Sequence, residues 1–281
     1  MTKKSSGVLP VSKMPLSVAA VSSYLDTTVL GSTLAVLDSV DSTNSYIKKN
    51  IAALDDGFTV LSASQSSGRG RLGKSFVSPE GGLYMSTLLM GREFVENAEQ
   101  ITVRAAVAVR NALVEVTGID DIGIKWVNDI YLHDKKICGI LAERIVRKGF
   151  CDFSVLGIGI NVATTADMLG KELSQIAASI SDFTQVDFSK NRLAACILNH
   201  LEKTLFVKDK AHHTAILDEY RAHSVLIGRE IYVSNGEESV HATVLGIDDY
   251  ASLYVQYDDG KTGILRSGEV STKLLKKEDG R

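Results

Sequence analysis

Gly68-Arg69-Gly70-Arg71-Leu72-Gly73-Lys74-Ser75 is the stretch whose reading decides how the rest of the chain is taken. Letter for letter it satisfies G-x-x-x-x-G-K-[ST], the nucleotide-binding P-loop pattern. That motif works only when a strand delivers the loop onto a helix N-terminus, whose amides and dipole hold phosphates. The upstream half fits, because Phe58-Thr59-Val60-Leu61-Ser62-Ala63 reads as a strand. The downstream half does not. Phe76-Val77-Ser78-Pro79-Glu80-Gly81-Gly82 puts a proline and two glycines where the helix should run. Leu83-Tyr84-Met85-Ser86-Thr87-Leu88-Leu89 then reads as a second strand. A P-loop NTPase therefore fails its context test. What remains is a cationic loop between two strands, with two arginines and a lysine among three glycines. Such a loop is permissive and costly to order, which suits a lid that closes on an anionic ligand. Composition by itself also allows a solvated basic hairpin tip.

Chain-wide properties bound the answer. A length of 281 residues leaves room for one large domain, or a medium one and a small one. Hydrophobic content of 44% and charged content of 23% are ordinary for a soluble globular protein. A net charge of -3 argues against general attraction to nucleic acid or membrane. No apolar run reaches the roughly 18 residues that span a bilayer. Residues 1–32 carry Lys3 and Lys4 ahead of mixed polar and small residues, without the apolar core of a signal peptide. A partly disordered leader is expected there. Cys138, Cys151 and Cys196 are odd in number and lack C-x-x-C spacing, which fits a reducing compartment and a cytoplasmic location. The six histidines form neither H-x-x-x-H nor H-x-E, so no zinc site is expected.

Residues 33–40 alternate like a strand and run into Asp41-Ser42-Thr43-Asn44, where Asp41 or Ser42 can cap a short helix reaching Asn50. Ile101, Ala105, Ala108, Ala112 and Val116 recur at helical spacing, predicting a helix over 96–116 with Gly118 as its stop. Strands are predicted over 122–126, 130–132 and 137–144, with His133-Asp134-Lys135 as a tight connection between the last two. Residues 153–160 are nearly all apolar and predict a strand buried on both faces. Helical patterns follow over 171–182, 190–206 and 211–222. From Ile227 the texture changes to short strands over 231–234, 240–247, 252–257 and 262–265. Asn235-Gly236 and Asp258-Asp259-Gly260 supply turns in this small all-β module. The Lys/Glu-rich end after Ser271 is expected to be a frayed tail.

Four distant segments each place polar or cationic groups where a strand meets a loop. They are Asp41 to Asn44, Gln65 to Arg71, Lys125-Trp126-Val127-Asn128-Asp129 with Lys136, and Gly157-Ile158-Gly159-Ile160-Asn161. Singly, each has a bland explanation: a helix cap, a turn, or core packing for Trp126. Gly157 and Gly159 suggest a dinucleotide fingerprint, but the third glycine and the following helix are missing. In this order, and with Lys135-Lys136-Ile137-Cys138-Gly139-Ile140-Leu141, the segments together resemble the biotin protein ligases. The resemblance runs from about residue 33 to the C-terminal region. Val127 stands where that family often has proline, and Phe76 where it often has tryptophan. The segment before Gly81 is one residue shorter than in some members. Some relatives carry an N-terminal helix-turn-helix and act as repressors. The residues ahead of the first strand lack helical periodicity, so operator binding is not expected.

The resemblance implies an α+β fold. A mixed β-sheet catalytic domain with helices, of the class II aminoacyl-tRNA synthetase and biotin synthetase type, would span 33–226. A small SH3-like β-barrel would span 227–275. It also implies the activity: biotin and ATP, with Mg²⁺ on the phosphates, give biotinyl-5′-AMP and pyrophosphate. Biotin then passes to a lysine of a biotin carboxyl carrier domain, with neither nucleic acid nor membrane as partner and a homodimer left open. Lys136 would lie between the biotin carboxylate and the α-phosphate, and Arg69 and Arg71 would hold both once the loop closes. Ser42, Thr43 and Gln65 would bond the ureido ring, with Asn44, Gly68, Gly70, Trp126 and Gly139 completing the biotin site. Phe76, Asn128, Asp129 and Asn161 would serve the nucleotide, with Asp129 the candidate for Mg²⁺. Cys138, beside Lys136, reads as a small buried filler rather than a nucleophile. Lipoate and octanoate ligases share the implied fold and are the nearest rival; the G-R-G-R loop and the terminal β-module favour biotin.

Overall fold

The computed structural model describes residues 15–91, 94, 98–145, 153–207, 209–234, 239–266 and 271–274. In chain order the elements begin with helix α1 (Val18–Ser22), strand β1 (Leu34–Val40), helix α2 (Thr43–Asn50), and strands β2 (Thr59–Gln65) and β3 (Leu83–Met90). Helix α3 (Ala98–Thr117) is followed by strands β4 (Ile122–Lys125), β5 (Asp129–Leu132), β6 (Lys135–Ile145) and β7 (Phe153–Ile160). Helices α4 (Ala166–Leu169), α5 (Lys190–Leu205) and α6 (Lys210–Ala222) come next. The chain closes with β8 (Glu230–Ser234), β9 (Ser239–Ile247), β10 (Leu253–Tyr257), β11 (Thr262–Leu265) and β12 (Ser271–Leu274).

Local signals set most of these boundaries. Ser42 caps α2 by accepting the Ser45 N–H at 3.4 Å. Gly118, at φ 72°, ends α3 as only glycine does cheaply. His133 and Asp134 both take left-handed φ (47° and 60°), the two-residue turn that matches the twist between β5 and β6.

The main sheet has the order β1-β2-β3-β7-β6-β5-β4. Among the described strands only β1 and β2 run parallel, so α2 has to cross over between them. Alternation sends the sheet's side chains to two cores. Leu61, Leu89, Leu156 and Ile158 join the core formed with α3 and α5. Val60, Leu88, Phe153 and Val155 pack the other way, with Ile47 of α2. β7 is thus buried on both faces, as its unbroken apolar run predicts. A second, five-stranded antiparallel sheet has the order β11-β10-β9-β8-β12. Its inner residues Ile231, Val244, Leu253 and Val255 are continuous with the main core. A mixed sheet with helices and a separate small C-terminal β-sheet is the α+β architecture expected. Among the described residues no helix is long and apolar enough to cross a membrane.

Three expectations need correction. The pattern over 171–182 is not a helix; only short turns form, at Leu173–Gln175 and Ile180–Asp182. Its backbone is spent on the sheet instead: Lys136 N–H donates to Ile176 O at 2.9 Å, and Ala178 N–H to Lys136 O at 3.0 Å. Residues 15–32, which fall within the leader expected to be partly disordered, are folded. Val21 and Leu30 are fully buried, and the Glu202 carboxylate of α5 accepts the amides of Thr28, Val29 and Leu30 at 2.6 to 3.0 Å. Residues 1–14 lie outside the described residues. The tail expected after Ser271 contributes β12, paired antiparallel with β8 over Ser271–Leu274. Asn235-Gly236 and the end after Leu274 also lie outside the described residues.

Candidate active site

A cavity of about 320 Å³ lies where the N-terminus of α2, the 68–76 loop and the centre of the main sheet meet. Its floor is made by glycine. Gly139 of β6 and Gly159 of β7 are direct register partners, and the Phe76 ring sits over both. A Cβ on Gly159 would come within 2.7 Å of that ring, and one on Gly139 within 3.0 Å. Gly157 has a different reason: its Cβ would meet Asn44 Oδ1 at 2.2 Å. The Gly-Ile-Gly pattern thus clears space for two side chains that line the cavity, rather than for a dinucleotide.

Lys136 reaches the cavity through a bulge. Asp129 pairs with Gly139 and Ile130 with Cys138, but Tyr131 pairs with Lys136, leaving Ile137 unmatched on β6. The extra residue puts Lys136 on the same face as Asp129 and Gly139. Simple alternation from Cys138 would have turned it into the core. Lys136 Nζ lies 2.7 Å from Asp129 Oδ1 and 5.7 Å from the centre of the Phe76 ring. Cys138 points the opposite way into the core, fully buried, and burial pushes its thiol well above the usual range. It is packing, as the sequence suggested.

The cationic loop is folded against the sheet. Gly70 N–H donates to Lys74 O at 2.7 Å, and Phe76 N–H to Gly68 O at 2.9 Å. Leu72 takes a left-handed φ of 54°, and Arg71 Nη1 donates to Asn128 Oδ1 at 3.0 Å. Arg69, Arg71, Lys74, Lys125 and Lys136 line the cavity, with Asp129 the one carboxylate among the described lining residues. Five cations against one acid, in a chain of net charge -3, make a site that attracts anions. Burial lowers the Lys125 pKa; Lys136 and Lys74 add to this, while Asp129 opposes it. After Ser75 the chain runs to β3 rather than into a helix, so P-loop geometry is absent among the described residues.

Neutral polar groups also face the cavity. Ser42, Thr43, Asn44 and Gln65 line it, and Gln65 Oε1 accepts the Thr43 N–H at 2.9 Å while its Nε2 donates to Ser78 Oγ at 2.9 Å. Gly70, Trp126 and Asn128 also line the cavity. Two predicted residues do not. Gly68 is spent on the loop's own closure, where a Cβ would lie 2.3 Å from Phe76 O. Asn161 sits behind the floor, donating its N–H to Ile137 O at 2.9 Å and its Nδ2 to Ala178 O at 3.3 Å. It supports the bulged strand and does not reach the cavity. Sequence reasoning missed Tyr131 and Ile176, both in the lining; Ile176 belongs to the segment misread as helix. Away from the cavity, Glu115, Cys196 and His200 bring three donor atoms within 4.8 Å of one another across α3 and α5.

Residues 36–161 match the family model described as the biotin/lipoate A/B protein ligase family. The bifunctional ligase/repressor BirA of Bacillus spizizenii is 31% identical over 242 residues, covering 84% of this chain and 73% of that protein. The biotin–[acetyl-CoA-carboxylase] ligase of Paracoccus denitrificans is 26% identical over 228 residues, covering 80% of this chain and 95% of that one. Among solved structures, the biotin protein ligase from Aquifex aeolicus in complex with biotin and ATP aligns with a TM-score of 0.75 at 29% identity, covering 87% of this chain and 100% of that one. With a glycine-floored, cationic cavity lined mostly by the matched segment, the chain belongs to the biotin/lipoate A/B protein ligase family.

Proposed function

We propose that this chain is an ATP-dependent biotin protein ligase. It joins biotin to AMP and passes the biotinyl group to a lysine of a biotin carboxyl carrier domain. The observation that carries this reading is the cavity's lining, which combines five cations with neutral hydrogen-bonding groups. That suits a ligand with a carboxylate and a neutral polar ring, set against a triphosphate. In the first step a biotin carboxylate oxygen attacks the α-phosphorus and pyrophosphate leaves. Both reactants are anionic, so fixed cations lower the barrier by being in place beforehand. Lys136 stands between the two groups, with Arg69 and Arg71 on the loop above. In the second step the carrier's lysine amine attacks the acyl carbon, and AMP leaves with the bridging oxygen.

Asn128 and Asp129 face the nucleotide, Phe76 offers a ring face, and Ser42, Thr43 and Gln65 face the ureido ring. Trp126, Gly70 and Gly139 shape the space between. Asp129 would be the carboxylate to hold a Mg²⁺ bound to the ATP phosphates, where the ion would supply neutralising charge. The test is pyrophosphate exchange into ATP with biotin, with lipoate, and with no acid. Exchange that depends on biotin alone is expected. Exchange that depends on lipoate would keep the fold and change the substrate, and acid-independent ATP hydrolysis would sink the reading.

A further inference from the structure

From Thr43 and Asn44 in the cavity lining runs a chain of side chains that ends on a charge. Asn44 Nδ2 donates to Glu143 Oε2 at 2.7 Å, and Lys48 Nζ lies 2.8 Å from the other oxygen, Oε1. Asn44 Oδ1 is 2.5 Å from Ser86 Oγ, and Ser86 Oγ is 2.7 Å from Thr43 Oγ1. Ser86 is fully buried, and Thr43 and Asn44 are nearly so. Gly157 lets Asn44 sit this close to the sheet. Lys48 is one turn along α2 from Asn44, so the helix presents the amide and the ammonium to Glu143 of β6 together.

Three oxygen–oxygen contacts in this chain share the two hydroxyl protons of Ser86 and Thr43, so the two shortest contacts take them and the longest goes without. A carboxylate paired with lysine accepts and cannot donate. Asn44 therefore turns its NH₂ to Glu143 and its oxygen to Ser86. A contact of 2.5 Å between two oxygens needs a proton, and the amide oxygen has none, so Ser86 spends its single proton there. Ser86 then faces Thr43 with a lone pair, and at 2.7 Å Thr43 has to supply the proton of that contact. The contact left without a proton is the longest, Thr43 Oγ1 to Gln65 Oε1 at 3.1 Å, where Gln65 Oε1 still accepts the Thr43 backbone N–H at 2.9 Å.

We propose that Glu143 is a positioning residue. Through Asn44 and Ser86 it fixes the proton direction so that the Thr43 hydroxyl meets the ligand as an acceptor, matched to a ring N–H. The inference rests on the proposed function, because the ureido N–H of biotin is the donor it expects. A ligand offering no N–H there would leave buried acceptors unpaired, which makes Glu143 a determinant of specificity as well as affinity.

The test is calorimetric titration of the full chain with biotin and, separately, with ATP. Glu143→Gln keeps the shape but can present either an N–H or an oxygen to Asn44, so the direction is lost. Ser86→Ala cuts the chain in the middle and leaves the Lys48–Glu143 pair intact. Each is expected to weaken biotin binding about tenfold, the scale of one well-made hydrogen bond, with the ATP affinity unmoved. The double variant should be no weaker than either single one, because both break the same chain. Unchanged biotin affinity in Ser86→Ala, or losses that multiply in the double variant, would overturn the inference while the proposed function stands. A parent that binds no biotin would overturn both. Should Glu143→Gln fail to fold, Ser86→Ala decides alone.

Discussion

Lys136 is the residue whose placement matters most, and its position depends on a single unpaired neighbour, Ile137. Its ion pair with Asp129, with both side chains about one quarter exposed, holds the ammonium ready at the cavity. Lys136→Ala is expected to cut biotin-dependent pyrophosphate exchange by about 10²–10³-fold, on the scale of losing one preorganised charge. The circular dichroism spectrum should stay that of the parent; an unchanged exchange rate would remove Lys136 from the chemistry. Lys125 makes a second prediction. Burial lowers its pKa, so at alkaline pH it holds fewer protons than a free lysine does. Phosphate oxygens alongside would raise that pKa again. ATP binding should therefore take up protons, increasingly as pH climbs toward the lowered pKa. Calorimetry in buffers of different ionisation enthalpy would detect this, and the absence of uptake would place the phosphates elsewhere.

At the scale of elements, the paired glycines of β6 and β7 form a floor whose height is set by missing Cβ atoms. Gly159→Ala pushes a methyl group to 2.7 Å from the Phe76 ring and is expected to cost about 1–3 kcal/mol of stability by overpacking. Adding Phe76→Ala should recover most of that loss in urea melts; additive losses would mean the ring is not what the methyl strikes. In the small sheet, His241 of β9 lies 2.6 Å from Asp258, which raises its pKa, with Glu230 of β8 at 3.9 Å. A raised histidine pKa stabilises fully below the unfolded value near 6.5, and the gain is lost as pH rises through the folded value. The parent's melting temperature should therefore exceed that of His241→Gln at pH 5.5, and the two should converge by pH 9. The helical period over 171–182 misled because Lys136 and Asn161 recruit that backbone into β-type pairing, a competition that local propensity does not register.

At the scale of the whole molecule, the two sheets are joined beside the cavity. Trp126, in the cavity lining, donates its indole N–H to Ala251 O of the β9–β10 turn at 2.8 Å. Tyr220 Oη donates to Val127 O at 3.1 Å. Trp126→Phe keeps an aromatic ring but strands the Ala251 carbonyl. It is expected to lower stability by about 1–3 kcal/mol, seen as a drop in melting temperature. A melting curve identical to the parent's would mean that this contact carries no weight.

Most of the strands, the longer helices and the cationic loop were legible from the chain alone. Alternation, helical spacing and glycine turns are local, and residues such as Ser42, Gly118 and Asp134 carry their conformation with them. Order along the chain also made the family resemblance readable. Three things were decided only by tertiary structure: the bulge that turns Lys136 away from the face of Cys138, the retreat of Gly68 and Asn161 to supporting positions, and the link from Glu143 to Thr43. Each depends on which strand lies beside which. Register between β5, β6 and β7 is set by the burial of whole faces at once, so no local run of residues encodes it.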